Sequence, residues 1–291
     1  MADARGEAAA LAGPASAPSV SASAAGVSFA GAPSSAAALG PAHSGVGVSR
    51  VLAWFSCGAA SAIATKLTPE AEPVYCETRA EHADNARFFD DCERWFERKI
   101  TRLHSERYAD TWEVWSKRRY LAGVKGALCT VELKLMPRLG YQRPDDVHVL
   151  GYTADPEDVV RAKRMRETYP EQAIVTPLIE RGLTKRHCLE LLSRAGIALP
   201  PVYALGFRNN NCIPCVKAQS PAYWALIRKE FPAEFERLAK LSRELKVRLV
   251  KTARGKRERI FIDEVPLDQP TTDPIQPACD FLCRLAEQDL G

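Results

Sequence analysis

The hydrophobic pattern alternates along the chain between short apolar runs and longer amphipathic stretches. Apolar runs predict five buried strands, at 51–56, 72–77, 99–103, 147–152 and 173–178. Helical periodicity is found at 83–97, 129–139, 156–167 and 184–195, and again after residue 221. Because strands alternate with helices, the pattern predicts an α/β fold, a parallel sheet with helices on both faces and right-handed crossovers.

A loop of small residues follows the first predicted strand and leads directly into a helix. Small side chains let the backbone approach an anion, a helix start offers unpaired amides, and Ser56 and Ser61 add hydroxyl groups. The pattern favours a phosphate-binding loop, and a plain strand-to-helix connection is the alternative. With Gly58 as the only glycine of 57–61, the loop matches neither a Walker loop nor a dinucleotide fingerprint.

Ligands of parallel sheets bind at the carboxyl ends of the strands. This rule places the loop 56–61 near Glu77 and Thr78, which end the second predicted strand, and near 151–153, which ends the fourth. The sequence therefore predicts one crevice lined by these three segments.

Three regions differ in composition. Residues 1–48 are mostly Ala, Ser, Gly and Pro, which predicts disorder, and they lack the features of a secretory signal. Residues 49–206 form the predicted α/β domain, and 207–291 a cysteine-containing helical region packed on it. No apolar run reaches the roughly 18 residues of a membrane span, so we expect a soluble, cytoplasmic protein without a membrane partner.

Net charge is +4, which names no partner, but basic residues are concentrated at 240–259. This region is either a nucleic-acid footprint or a solvated helix face and hairpin. The chain has nine cysteines and no export signal, which favours reduced thiols, metal ligands or redox chemistry over a disulfide framework.

Cys212 and Cys215 form a Cys-x-x-Cys pair, which chelates zinc or iron or forms a reversible disulfide. Cys129, Cys279 and Cys283 are further candidate ligands, the last two one helical turn apart. Cys57 has two interpretations. It is either a thiol whose pKa is lowered by the helix start or a small residue that fills the loop.

Four motifs together resemble the phosphoadenosine phosphosulfate (PAPS) reductase family of the PP-loop ATP pyrophosphatases, or adenine nucleotide alpha hydrolases. They are SCGAAS at 56–61, LCTVELK at 128–134, GYT at 151–153 and NNNCIPCVK at 209–217. The resemblance covers about 49–284 and is greatest to a bacterial and phage branch with the same triple-Asn segment.

The resemblance implies a site for an adenine nucleotide, either ATP or PAPS/adenylyl-sulfate. Its expected residues are Ser56, Gly58 and Ser61 on the phosphates with Cys57 beside them, Glu77 and Thr78 near the nucleoside, and Gly151 and Arg161 on the phosphate side. Two loop positions depart from the family pattern, since Cys57 replaces a glycine and Ala60 an aspartate. The missing carboxylate weakens the case for metal-assisted ATP cleavage.

For the cysteines, the resemblance implies a 4Fe-4S cluster held by Cys129, Cys212 and Cys215, with zinc as the alternative. It also implies a nucleophilic thiol near the C-terminus, where this chain has Cys279 and Cys283, and a thiol reductant such as thioredoxin as partner. We therefore expect the tail to bring these two cysteines near Cys212. The alternative is an apolar C-terminal helix in which Cys279, Leu282 and Cys283 serve only as packing residues.

Three functions stay open at this point. The first is a thiol-dependent reductase acting on an adenylyl-sulfate. The second is a PP-loop enzyme that adenylates a substrate, such as a nucleic acid base, for sulfur insertion. The third is a non-catalytic nucleotide- or metal-binding protein.

Overall fold

A sheet of five parallel strands organises the part of the chain that the computed structural model describes, residues 49–123, 126–252 and 258–290. The strands are β1 (Val51–Trp54), β2 (Glu72–Cys76), β3 (Thr101–Leu103), β4 (Val147–Val149) and β5 (Ala173–Val175). Their order across the sheet is β3-β2-β1-β4-β5, and every neighbouring pair is parallel. All five come from predicted segments, so the predicted parallel sheet is confirmed.

Helices surround this sheet and complete the α/β fold. They are α1 (Ala59–Lys66), α2 (Asn85–Phe96), α3 (Thr111–Arg118), α4 (Leu128–Thr130, Val131–Leu135 and Met136–Tyr141 in one run), α5 (Pro156–Thr168), α6 (Pro177–Glu180), α7 (Lys185–Arg194), α8 (Pro221–Glu230), α9 (Pro232–Glu244) and α10 (Phe281–Leu290). The middle segment of α4 is π-helical. No described helix is long and apolar enough to cross a membrane.

All five strands are shorter than the segments predicted for them. β5 ends at Val175, and Pro177 begins α6, because proline lacks an N–H for the sheet and fits the first turn of a helix. Outside the main sheet, Arg259–Ile260 pairs with Val250–Lys251, and a 3-10 turn follows at Ile262–Glu264. A second two-residue hairpin pairs Ala122–Gly123 with Gly126–Ala127.

Two hydrophobic clusters hold these elements together. The first lies between the sheet, α1, α2, α7 and α10, and Phe55 is among its buried residues. The Phe55 ring lies 5.5–6.4 Å, between centroids, from four other aromatic rings, three of them on α2. The second cluster joins α3, α8 and α9 around the fully buried Trp115 and Trp224.

The segment after residue 206 contacts the first part of the chain at several points. Ile213 N donates to Ala80 O over 2.6 Å, and Thr272 Oγ1 donates to Gly206 O over 2.8 Å. The tail passes so close to residue 206 that only glycine fits there. A Cβ at this position would lie 2.2 Å from Thr272 O, and the backbone has φ = 103°. The predicted disorder of 1–48 lies outside the described residues.

Candidate functional site

A cavity of about 650 Å³ lies at the carboxyl ends of β1, β2 and β4. Nine of the residues expected from the sequence line it: Ser56, Gly58, Ser61, Thr78, Cys129, Gly151, Arg161, Cys212 and Cys215. Its wall also includes members of both hydrophobic clusters, such as Tyr203 and Trp115. The predicted crevice is therefore present, and its far wall is formed by the cysteine-containing segment.

The Ser61 hydroxyl organises the loop that follows β1. Its Oγ accepts hydrogen bonds from the amides of Ser56 (3.0 Å) and Gly58 (3.3 Å) and donates to Gly58 O (2.9 Å). The Ser56 hydroxyl lies 3.1 Å away. Gly58 is the N-cap of α1, and the first-turn amides of a helix have no acceptor inside it. The amide of Ala59 donates to Tyr203 Oη over 2.9 Å, so the loop is fixed from both sides.

Cys57 is fully buried and does not line the cavity. Its φ of 55° lies in the left-handed region, which favours glycine. Burial raises the pKa of its thiol well above the usual range, and the charge of Glu81 adds to this. Of the two interpretations of Cys57, the structure agrees with a small residue that fills the loop.

Gly151 lies directly against the start of α1. A Cβ at this position would be 2.7 Å from Ser61 Cα and 2.8 Å from Ser61 N, and both atoms belong to the backbone. The absence of a side chain at 151 therefore lets β4 and the loop meet.

The middle residue of the triple-Asn segment clamps the loop. Asn210 Nδ2 donates to Cys57 O and to Asn85 Oδ1, each over 2.6 Å. Asn210 is buried, whereas Asn209 and Asn211 are exposed, so the three asparagines differ in role.

Positive charge dominates the lining of the cavity. Its cations are Lys134, Arg161, Lys185, Arg208 and Lys217, and within the described chain the single lining carboxylate is Asp158, 2.6 Å from Arg161. Sequence reasoning assigned a role to Arg161 alone. Lys134 and Lys217 could have been found, because each ends one of the cysteine motifs, whereas Lys185 and Arg208 carried no signal.

Three thiols line the same cavity. Cys212 Sγ is 3.1 Å from Thr78 Oγ1 and 3.9 Å from Glu81 Oε1. Burial raises the pKa of Cys212 to about 12, against the opposing charge of Lys134. Burial also raises the pKa of Cys129, opposed by the nearby Trp115 indole.

The predicted metal centre requires these thiols to surround one point. Thiolates suit zinc and iron–sulfur clusters in their chemistry. Among residues 49–123, 126–252 and 258–290, however, no group of three or more His, Cys, Asp or Glu side chains is arranged to hold a metal ion. The thiols as placed therefore do not fit a metal, and the cluster or zinc ion stays a prediction.

The structure does not bring three other predicted residues to the cavity. Glu77 lies in a second, smaller concavity and pairs with Arg79 over 3.2 Å. Cys279 and Cys283 are joined by a disulfide, with Cα atoms 5.1 Å apart, and pack with the first hydrophobic cluster. Neither lines the cavity that contains Cys212; the tail reaches its wall through Thr272 instead.

Two cations of the basic region 240–259 make contacts with other side chains of the protein. Arg243 pairs with Asp263 and Glu264, each over 3.0 Å, and its guanidinium lies over the Phe261 ring. Arg248 also lies over the Phe261 ring, at 5.1 Å from its centroid. Residues 253–257 lie outside the described chain, so the predicted nucleic-acid contact stays a prediction.

A buried histidine supports the cavity wall from behind. Trp54 lines the cavity, and its Nε1 donates to His148 Nδ1 over 3.1 Å. Burial lowers the pKa of His148 to about 4, and the charge of Arg138 acts in the same direction. His148 is therefore neutral in the folded protein at neutral pH.

Because His148 is buried in its neutral form, we expect the protein to lose stability in acid. Because the folded pKa is depressed, the stabilisation is fully present above the unfolded value of about 6.5 and is lost as pH falls towards 4, by up to about 3 kcal/mol. Urea unfolding of the wild type and His148→Gln between pH 7.5 and 4 measures it. We expect the free energy of unfolding of the wild type to fall more steeply than that of His148→Gln over this pH range. Parallel curves for the two proteins would contradict the prediction.

Comparison with solved structures gives two matching chains. No family model and no curated protein matches the chain. One of the two solved chains is phosphoadenylyl-sulfate (PAPS) reductase from Candida auris in a phosphate complex, with 9% identity and a TM-score of 0.43. The similarity covers 57% of this chain and 83% of that chain.

Proposed function

We propose that this chain is a PAPS reductase-like enzyme, which binds an adenine nucleotide at the loop 56–61 and carries out thiol-dependent sulfur chemistry. The observation that carries the proposal is the meeting of two chemistries in one cavity. Ser56, Ser61 and the start of α1 line one part of the cavity. The thiols of Cys129, Cys212 and Cys215 line the same cavity.

The loop side suits phosphate groups. A helix N-terminus and a hydroxyl such as that of Ser56 donate hydrogen bonds to phosphate oxygens, and the charges of Lys185 and Arg161 complement them. Gly151 lets the backbone after β4 pack directly against the start of α1, because a Cβ there would overlap the backbone of Ser61. Adenylyl-sulfate, PAPS and ATP all carry phosphates that this arrangement can hold.

The thiol side suits sulfur chemistry. Lys134 lies close enough for its charge to oppose the burial that raises the pKa of Cys212. A cation beside a thiol favours the thiolate, which is the nucleophilic form, but at Cys212 burial outweighs this effect and the pKa stays raised. Cys279 and Cys283 do not line this cavity. Their predicted catalytic roles, and the predicted reductant such as thioredoxin, remain predictions.

Calorimetric titration with ATP, PAPS and adenylyl-sulfate tests the proposal. We expect Ser61→Ala to weaken nucleotide binding by about tenfold, since the loop loses three hydrogen bonds that set its shape. Ser193→Ala is the matched control, because Ser193 is an exposed α7 residue whose hydroxyl donates to Leu189 O. Equal binding by both variants would place the nucleotide elsewhere.

The metal prediction has its own test. Protein purified without oxygen is assayed for iron, sulfide and zinc, together with Cys212→Ser and with Cys188→Ser, a buried control outside the cavity. Metal that is lost in Cys212→Ser alone would support a centre at these thiols. If the wild-type protein contains no iron, sulfide or zinc, the predicted metal centre is refuted and the cysteines act as free thiols.

The adenylating alternative has weaker support. Metal-assisted ATP cleavage needs carboxylates, and Asp158, which lines the cavity, is already engaged with Arg161. Release of pyrophosphate from ATP would revive this alternative, and release of sulfite from an adenylyl-sulfate would favour the reductase.

A further inference from the structure

We propose that the hairpin of Val250–Lys251 and Arg259–Ile260, together with the end of α9, is a surface that binds the phosphate backbone of a nucleic-acid duplex. The members of this basic hairpin surface are Arg243, Lys246, Arg248, Lys251 and Arg259. The surface is separate from the loop 56–61, so the inference goes beyond the proposed nucleotide binding and does not depend on it.

Contacts with one aromatic ring and one strand pair group these cations. The guanidinium groups of Arg243 and Arg248 lie over the Phe261 ring, 4.1 Å and 5.1 Å from its centroid. Lys251 is the register partner of Arg259 in the hairpin, and directly opposed residues have Cβ atoms about 5 Å apart on the same face. Because Phe261 directly follows the second strand of the hairpin, these four cations belong to one small unit of the fold.

Three members of the surface carry charge that no carboxylate of the described chain neutralises. Arg243 is paired with two carboxylates of the 3-10 turn Ile262–Glu264. Lys246, Arg248 and Lys251 are exposed, and none of them forms an ion pair within 49–123, 126–252 and 258–290. Like charges that stand together repel one another, and a bound polyanion removes this repulsion.

The basic hairpin surface adjoins the wall of the large cavity. Lys251 N donates to Gln219 O over 2.9 Å. Gln219 stands in sequence between Ala218 and Ser220, both of which line the cavity, as the cation Lys217 does. The positive charge of the hairpin therefore continues into that of the cavity lining, which suits an extended polyanion better than a single small anion.

The side chains of the surface select phosphate groups over bases and lipid. Within the described chain, the exposed large apolar side chains lie on α4, α5 and α10 and at Leu267, and none belongs to the hairpin or to α9. Phe261 is 8% exposed and is covered by two guanidinium groups, so its ring cannot stack on a base. Cations without such a ring contact the backbone, and a duplex offers more phosphates per unit length than a single strand does.

Fluorescence anisotropy of the full chain with a labelled DNA duplex of about 20 base pairs, at about 50 to 200 mM salt, tests the proposal. Lys246→Gln combined with Lys251→Gln removes two charges at exposed positions, and circular dichroism checks that the variant is folded. Arg94→Gln combined with Lys163→Gln is the matched control, because it removes the same charge from exposed positions of α2 and α5.

We expect the logarithm of the wild-type affinity to fall with the logarithm of the salt concentration with a slope of about −3, since three cations without carboxylate partners each contact a phosphate. Affinity should then fall about 40-fold between about 50 and 200 mM salt. The variant with Lys246→Gln and Lys251→Gln should have a slope of about −1 and should bind about tenfold more weakly, or worse, at the lower salt concentration. The control should bind as the wild type does.

Further ligands separate this partner from others. Single-stranded DNA of the same length should bind more weakly than the duplex. Binding of polyglutamate or of anionic lipid vesicles as tight as that of the duplex would assign the surface to an acidic protein or a membrane and overturn the proposal. A wild type that does not bind the duplex at about 50 mM salt would also overturn it, as would an equal loss of affinity in the control.

A last arm separates the surface from the nucleotide site. Gly58→Val, which blocks the loop 56–61, should bind the duplex as the wild type does. The variant with Lys246→Gln and Lys251→Gln should bind ATP as the wild type does. Loss of duplex binding in Gly58→Val would assign the phosphates to the loop and contradict the proposal.

Discussion

Replacement of Gly58 by valine is expected to lower the affinity for an adenine nucleotide by about 100-fold or more and to leave the protein folded. The backbone at Gly58 has φ −113° and ψ 156°, an extended conformation that valine adopts readily. A Cβ here would meet Tyr203 Oη at 3.5 Å and Ser56 Oγ at 3.7 Å, which are ordinary contacts. The added methyl groups would instead crowd the space in front of α1, where an anion must approach.

The magnitude follows from the hydrogen bonds that the anion would lose. A bond to a charged group contributes about 1.5–3 kcal/mol, and each 1.4 kcal/mol is tenfold in affinity, so two lost bonds account for at least 100-fold. Calorimetry with ATP, PAPS and adenylyl-sulfate measures the effect, and circular dichroism confirms the fold. Gly140→Val is the control, because Gly140 is exposed on α4 and a Cβ there would have nothing within 4 Å of it. Wild-type affinity in Gly58→Val would refute nucleotide binding at this loop.

Replacement of Gly151 by alanine is expected to destabilise the protein by about 1–3 kcal/mol and to abolish nucleotide binding as well. The new methyl group would overlap Ser61 Cα, Ser61 N and Ala60 C, at 2.7–3.0 Å. These are backbone atoms of α1, and they cannot move aside as a flexible side chain would. Relief of the overlap must therefore separate β4 from the loop, and the Ser61 hydrogen bonds that shape the loop would be lost.

Urea unfolding measures the stability term, and the same titrations measure the binding term. Gly140→Ala is again the informative comparison, since an exposed helical glycine replaced by alanine should stabilise by about 0.5–1 kcal/mol. The same chemical change is thus expected to have opposite signs at the two positions. If Gly151→Ala unfolds at the wild-type urea concentration, the close approach of β4 to α1 is not rigid.

The sheet and the loop could be predicted because their signals are local. The apolar runs give the strands, and small residues after β1 give a loop that can close on an anion. Because ligands bind at the carboxyl ends of parallel strands, Thr78 and Gly151 could be predicted to share a crevice with Ser61, and all three line the cavity. Strand ends were less accurate, as the early end of β5 before Pro177 shows.

The far wall of the cavity could not be predicted, since it depends on contacts between distant segments. Nothing in the sequence distinguishes Asn210 from Asn209 and Asn211, although only the middle residue is buried against Cys57 and Asn85. Likewise, Cys283, Ala286 and Leu290 form the buried face of α10, and nothing in the sequence identifies the surface that receives this face. That surface includes α7, where Arg194 pairs with Glu287 over 2.7 Å.

The π-helical turn of α4 has a consequence for helix phase. A π turn closes its hydrogen bonds over one more residue than an α turn does, and one residue corresponds to about 100° of rotation around a helix axis. Cys129 precedes this turn and Lys134 lies within it, yet both line the same cavity. Deleting one residue from 131–135 would restore regular winding while rotating one end of α4 against the other. Angular register along this helix, as much as residue identity, therefore decides whether thiol and ammonium face the same ligand.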